Sequence, residues 1–164
     1  MTHLINKKHI RITIFIFMSI FLITIDQFTK YFAQNILAKY ETIPIISSIL
    51  HFTYVKNYGA AFGIFENNKF FLLLPPCIIF ICTFFLIIFI KQMNRIKLYS
   101  IILIFSGGVG NFIDRIFTGY VIDYIDFRLI QFPVFNFADI CICIGTFIIL
   151  VYTIFFESTP IKEK

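Results

Sequence analysis

The chain has 164 residues, enough for one domain at roughly 150 residues each, so a single site must carry whatever chemistry it performs. It is 59% hydrophobic and 14% charged, where soluble domains average about 45–50% and about 25%; this excludes an ordinary soluble globule in favour of a membrane protein. A net charge of +5 points to nucleic acid only when basic residues gather on a soluble surface. Here they fall between apolar runs, so no nucleic-acid partner is expected.

A bilayer core of about 30 Å requires about 20 helical residues, and four stretches approach that length, at about 10–33, 70–90, 98–117 and 139–156. The expected fold is an all-α membrane protein of one domain, residues 1–164, with four transmembrane helices and a small extracytoplasmic β-rich segment. The first span follows Lys7, Lys8 and Arg11 as a secretory signal would, but no small-x-small cleavage pattern follows it, so it is read as a permanent helix. Pro75 and Pro76 lie near the start of the second span and predict a kink there.

Of the two long connections, residues 34–69 contain ETIPIISSILHFTYV at 41–55, whose β-branched and aromatic residues broken by Pro and Ser predict short strands at the membrane surface. Residues 118–138 are also apolar and aromatic, with Gly119 and Pro133 as breakers, and are expected to lie in the interface.

Orientation follows from the basic residues, because short cytoplasmic loops are enriched in Lys and Arg. Lys7, Lys8, Arg11, Lys91, Arg95, Lys97, Lys162 and Lys164 fall on one side, which places both termini in the cytoplasm. The opposite, outer face then collects Asp26 and Lys30, Asn57, Asn111 with Asp114 and Arg115, and Asn136 with Asp139. Asp26 falls inside the bilayer in the last turn of the first span, where an unpaired Asp is costly; Lys30, at i+4, shares its side of the helix.

Exclusion narrows the chemistry. No GxSxG, HExxH or GK[ST] loop occurs, and the three histidines, His3, His9 and His51, are scattered. Cys77, Cys82, Cys141 and Cys143 sit in apolar runs without metal-ligand spacing, so neither a metal nor another cofactor is expected. Gly107, Gly108 and Gly110 fit close helix packing. Carboxylates remain: Asp114, Asp123, Asp126 and Asp139. Two of them close together would share a proton, and such a pair can activate water while polarising a carbonyl. Spacing alone does not choose the pair, and Asp139 also suits a helix cap. A proton channel or transporter and a noncatalytic lipid-binding protein are the rival readings, since intramembrane charges mark ion paths as well.

DQFTK at 26–30, NYGAAFG at 57–63, GGVGNFIDR at 107–115, VIDYIDF at 121–127 and FNFADICICIG at 135–145 together resemble the five motifs of the lipoprotein signal peptidase family (signal peptidase II), bacterial membrane aspartic proteases. The resemblance implies a catalytic dyad of Asp123 and Asp139. It also implies substrate-binding or supporting roles for Asp26, Lys30, Asn57, Gly107, Asn111, Asp114, Arg115 and Asn136. Arg115 or Asn57 would bond carbonyl oxygens, and the aromatic segment after Gly119 would cover the scissile bond. The implied substrate is a prolipoprotein cleaved just before a diacylglyceryl-modified Cys, at the outer face of the bacterial inner membrane, by a monomer in contact with membrane lipid. Gly108 departs from the family pattern, where Ala is common, and leaves only local helix stability in question.

Overall fold

The computed structural model describes residues 2–59, 69–90, 93–130 and 132–157. Residues 60–63 of the second motif, and Lys91, Lys162 and Lys164 of the charge argument, lie outside them. Helix α1 (Thr2–Phe32) continues through a π-helical turn (Ala33–Leu37) into the short α2 (Ala38–Tyr40), after which come β1 (Thr42–Ile46) and β2 (Leu50–Asn57). Then follow α3 (Lys69–Ile88), α4 (Arg95–Phe117), β3 (Val121–Phe127) and α5 (Phe137–Tyr152), the last ending in a π-helical turn (Thr153–Glu157).

Three segments among the described residues are long and apolar enough to cross a membrane: Lys7–Tyr40, Arg95–Phe117 and Phe137–Phe156. Within α3 the qualifying apolar stretch is the shorter Pro76–Ile88, and the helix passes through both prolines. Of the four expected spans, α1, α4 and α5 supply three among the described residues, and α3 offers this shorter run.

Helix α4 is central and packs against α1, α3 and α5. Its contact with α5 is backbone-close: a Cβ at Gly107 would collide with the Ala138 carbonyl oxygen and reach Ile142 Cγ1 at 2.7 Å, and one at Gly145 would stand 2.7 Å from the Ser100 carbonyl oxygen. Small residues thus set the helix spacing, the main means of association where surrounding lipid removes any hydrophobic drive. At the end of the bundle away from the sheet, Phe15, Ile90, Leu98, Ile101 and Ile102 form one core cluster. Arg11 donates from Nη1 to the carbonyl oxygens of Ile90 and Met93, joining α1 to the α3–α4 connection.

The first helical segment is longer than expected, and that length has a structural use. Its 34 residues span about 51 Å at about 1.5 Å per residue, well beyond a core of about 30 Å. The surplus supports the sheet, because Ala33 and Leu37 in the π turn pack with Ile122 and Tyr124 of β3. The sheet is antiparallel in the order β1-β2-β3. Strand β3 was not expected, since 118–138 was read as an interfacial segment; a Thr118 cap and Gly119 at φ +81° turn the chain out of α4 directly into it. Once paired, β3 alternates: Ile122 and Tyr124 face α1, while Val121 and Asp123 line a cavity on the other face. A register shift between Phe52 and Val55 places Val55 opposite Asp123 and Asn57 opposite Val121.

Candidate active site

The first polar cluster is an ion triad. Lys30 Nζ lies 2.9 Å from Asp26 Oδ2 and 3.0 Å from Asp114 Oδ2, with side-chain exposures of only 1–5% across the three. Each carboxylate also accepts a backbone N–H, Asp26 from Ala138 at 3.0 Å and Asp114 from Ile122 at 3.1 Å. Helix α1 is thereby tied to α4, to the first turn of α5 and to β3, and the pair expected at i and i+4 proves to be a buried joint of four elements. A charge at this burial persists only when paired and hydrogen-bonded. Gln27, which sequence reasoning did not single out, completes it by donating to Asp114 Oδ1 at 3.1 Å, Asp26 Oδ2 at 3.2 Å and the Gly110 carbonyl at 3.2 Å. Its one signal in the sequence was adjacency to an intramembrane Asp. Gly110 was quoted only for packing, yet a Cβ there would collide with the Asp26 carboxylate.

The second cluster contains Asp123 and Asp139, which the fold brings into one cavity of about 690 Å³ from β3 and from the start of α5. Three amides orient them. Lys30 donates to Asn111 Oδ1 at 2.9 Å; because an ammonium can only donate, the Asn111 amide nitrogen turns to Asp139 Oδ1 at 2.7 Å. The Asp139 backbone N–H fixes Asn136 Oδ1 at 3.0 Å, so Asn136 Nδ2 donates to Asp123 Oδ1 at 2.6 Å and to Asn111 Oδ1 at 3.1 Å. The Gly59 N–H holds Asn57 Oδ1 at 2.9 Å, and Asn57 Nδ2 donates to Asp123 Oδ2 at 2.8 Å. Asp139 Oδ2 accepts the Asn136 N–H at 3.1 Å, which makes Asn136 and Asp139 a reciprocal capping box. Cap and site residue, alternatives in the sequence, are one arrangement here.

The four candidate carboxylates separate by what holds them. Asp114 belongs to the Lys30 triad. Asp126 stands at the far end of the sheet, bonded to Arg128 Nε at 2.8 Å and Thr53 Oγ1 at 2.7 Å. Partial burial would raise the Asp126 pKa, but these two donors more than offset it and hold the carboxyl below its usual value. Asp123 and Asp139 are held by neutral amides, and among the described residues no ion pair includes either. Burial pushes the Asp123 carboxyl up to about 6; the Asn57 hydrogen bond opposes the shift and the nearby Asp139 charge adds to it.

Arg115 lies at the same cavity, near enough to Asp139, Asp123 and Asp114 to feel all three charges. Its Nη2 is 3.4 Å from the Gly59 carbonyl, and its Nε is buried without a hydrogen-bond partner. Lys56 and Tyr58 also line the cavity, and the other walls are apolar, formed by Val55, Val121 and Phe132 to Phe135 and by Ile140, Ile142, Cys143 and Ile144 of α5. Gly107 does not enter the cavity; it sets the α4–α5 spacing. Among the described residues no three His, Cys, Asp or Glu side chains are grouped to hold a metal.

A helical membrane protein with two amide-held carboxylates at the junction of a sheet and helix ends is the class that this fold and site define. Residues 18–156 match the family model described as signal peptidase (SPase) II. The chain is 40% identical to the lipoprotein signal peptidase of Clostridioides difficile (strain 630) over 147 residues, covering 88% of this chain and 97% of that protein. It is 39% identical to the lipoprotein signal peptidase of Fusobacterium nucleatum over 145 residues, covering 88% of each. Two solved structures, described as bacterial membrane enzymes studied by the in meso method at 2.3 Å and 1.9 Å resolution, align with TM-scores of 0.79 and 0.73 at 32% and 33% identity. They cover 93% and 88% of this chain, and it covers 94% and 95% of theirs. The chain belongs to the signal peptidase II family, the lipoprotein signal peptidases.

Proposed function

We propose that this peptidase is an aspartic endopeptidase in which Asp123 and Asp139 share one proton and activate a water. It hydrolyses a prolipoprotein just before its diacylglyceryl-modified Cys. The observation that carries the reading is the Asn136 bridge, which donates to Asp123 from its side chain at 2.6 Å and to Asp139 from its backbone at 3.1 Å. Both carboxylates are thereby held at one cavity, whereas Asp26 and Asp114 are committed to Lys30.

Electrostatics favour the shared proton. Asp26 and Asp114 share Lys30, while Asp123 and Asp139 share their cavity with Arg115 and Lys56 without an ion pair to either among the described residues, and two close carboxylates do not both ionise readily. In the reaction the ionised member takes a proton from water as its oxygen attacks the scissile carbonyl carbon. The protonated member gives its proton to the carbonyl oxygen, forming a neutral tetrahedral diol. The C–N bond then breaks as the amine nitrogen takes up the proton first removed from water. The other aspartate takes back a proton from a diol hydroxyl as the carbonyl re-forms, so the pair returns to its singly protonated state. Arg115 and Asn57 are placed to bond peptide or glycerol carbonyl oxygens, and the apolar α5 wall suits an acyl chain.

The same reading has α3 as a fourth span, both termini in the cytoplasm and the site at the outer face of the bacterial inner membrane, in a monomer surrounded by lipid. The basic residues flanking the other end of the bundle support that orientation. The test is cleavage of a synthetic diacylglyceryl lipopeptide by detergent-purified protein. Asp123→Asn and Asp139→Asn are each expected to abolish cleavage while the unfolding midpoint shifts little; activity retained in either variant refutes the dyad.

A further inference from the structure

Between β3 and α5, Phe135 makes an isolated antiparallel bridge at the outer edge of β3. Phe135 exchanges both backbone bonds with Ile125, at 3.0 Å and 2.8 Å, and its carbonyl also accepts from Tyr124 at 3.1 Å; Phe132 N–H donates to the Phe127 carbonyl at 3.2 Å. Backbone groups of successive residues in an extended strand point to opposite edges. With Phe135 turned toward β3, the N–H and carbonyl of Val134 turn away from it, and the cavity lies alongside residues 132–135.

Accounting for the donors of residues 132–136 leaves one over. Phe132 and Phe135 bond β3, Pro133 has no N–H, and Asn136 N–H is held by Asp139 Oδ2. The Asn136 carbonyl is likewise taken, by Ile140 N–H at 3.3 Å. Val134 alone keeps an N–H without an acceptor, two residues from the amide that bridges the two aspartates. A half-buried strand edge that leaves a donor and acceptor pair open is suited to pairing with another backbone.

We propose that the Val134 backbone N–H and carbonyl form a one-residue β-bridge with the extended backbone of the substrate, setting which peptide bond faces Asp123 and Asp139. The N–H groups at the two flanking positions are already committed, Phe132 to the Phe127 carbonyl and Asn136 to Asp139 Oδ2, so the bridge has one register. The inference rests on the peptidase reading and adds the element that holds the peptide chain.

The experiment uses the full chain in detergent and a set of diacylglyceryl lipopeptides in which single amides near the scissile bond are replaced by esters. An ester removes one N–H and keeps the shape. Val134→Ala, which trims the side chain and keeps the backbone N–H, measures any loss due to the side chain alone and is the reference for the proline variant. Val134→Pro, which removes the N–H, is expected to lower kcat/KM about tenfold, the scale of one backbone hydrogen bond. One ester position costs the parent a similar factor and costs Val134→Pro nothing further. Multiplying losses, or full activity in Val134→Pro, overturns the bridge. If Val134→Pro fails to fold, hydrogen exchange decides: the Val134 amide of Asp123→Asn protein must slow when the unmodified lipopeptide is added, and unchanged exchange refutes the proposal. A parent that cleaves no lipopeptide refutes the peptidase reading instead.

Discussion

Replacing Lys30 by Met keeps the length of the side chain and removes its charge. The ammonium is 2% exposed and has three acceptors within 3.0 Å: Asp26 Oδ2, Asp114 Oδ2 and Asn111 Oδ1. Removing it leaves two carboxylates buried without a cation, and breaking a buried pair in this way costs about 3–5 kcal/mol. The second effect is on the site. Without an obligate donor facing Asn111 Oδ1, that amide is free to turn, and the bond to Asp139 Oδ1 loses its fixed direction. The triple variant Asp26→Asn, Lys30→Met, Asp114→Asn separates the two effects. An Asn oxygen still accepts the Ala138 and Ile122 N–H groups, so stability is expected to recover by more than half while cleavage stays impaired. Equilibrium unfolding in mixed micelles, beside lipopeptide cleavage, reads both. A cost below about 1 kcal/mol for Lys30→Met, the range of an exposed pair, refutes the view of the triad as a buried joint.

Activity is expected to decline as pH rises through about 6, because the Asp123 carboxyl is raised to that value and the pair must hold one proton to act. Asn57→Leu removes a donor that favours the charged form, so the folded pKa of Asp123 rises further and the alkaline limb of kcat moves to higher pH; a limb that stays or moves down contradicts the hydrogen-bond assignment. Gly107→Ala is expected to destabilise by about 1–3 kcal/mol through overpacking, because its Cβ meets the Ala138 backbone, as thermal unfolding will read. Gly108→Ala meets the Ile79 Cδ1 methyl at 3.2 Å; with a gain in helix propensity of about 1 kcal/mol over Gly, it is expected to be neutral or stabilising. Asp126→Asn is expected to leave cleavage within about twofold, since its partners Arg128 and Thr53 lie at the other end of the sheet.

Hydrophobic run length alone identified the helices α1, α4 and α5, because solvating about 20 apolar residues in lipid requires no knowledge of their neighbours. Strands in the 41–55 segment were legible for a similarly local reason, its β-branched and aromatic content. Strand β3 was not. VIDYIDF has the alternation of a two-faced strand only once the α1 extension covers Ile122 and Tyr124 on one side and a cavity opens on the other. The length of α1 was equally hidden, because residues 33–40 are held helical by contact with the sheet.

The residue types at the site were determined by the sequence: carboxylates, amides and two cations gathered at one end of the bundle, with motif order assigning them to a family. How each carboxylate is held was decided largely by tertiary structure. Asp26 and Asp126 have cations four and two positions along the chain and Asp114 meets Lys30 only through the fold, whereas Asp123 and Asp139 meet amides whose direction is set by Lys30 and by two backbone N–H groups. The ionisation of a carboxylate depends on burial and on charges within a few ångströms. Those neighbours come from helices and strands up to 112 positions away in the chain, so the linear order lists the groups and the packing alone assigns their states.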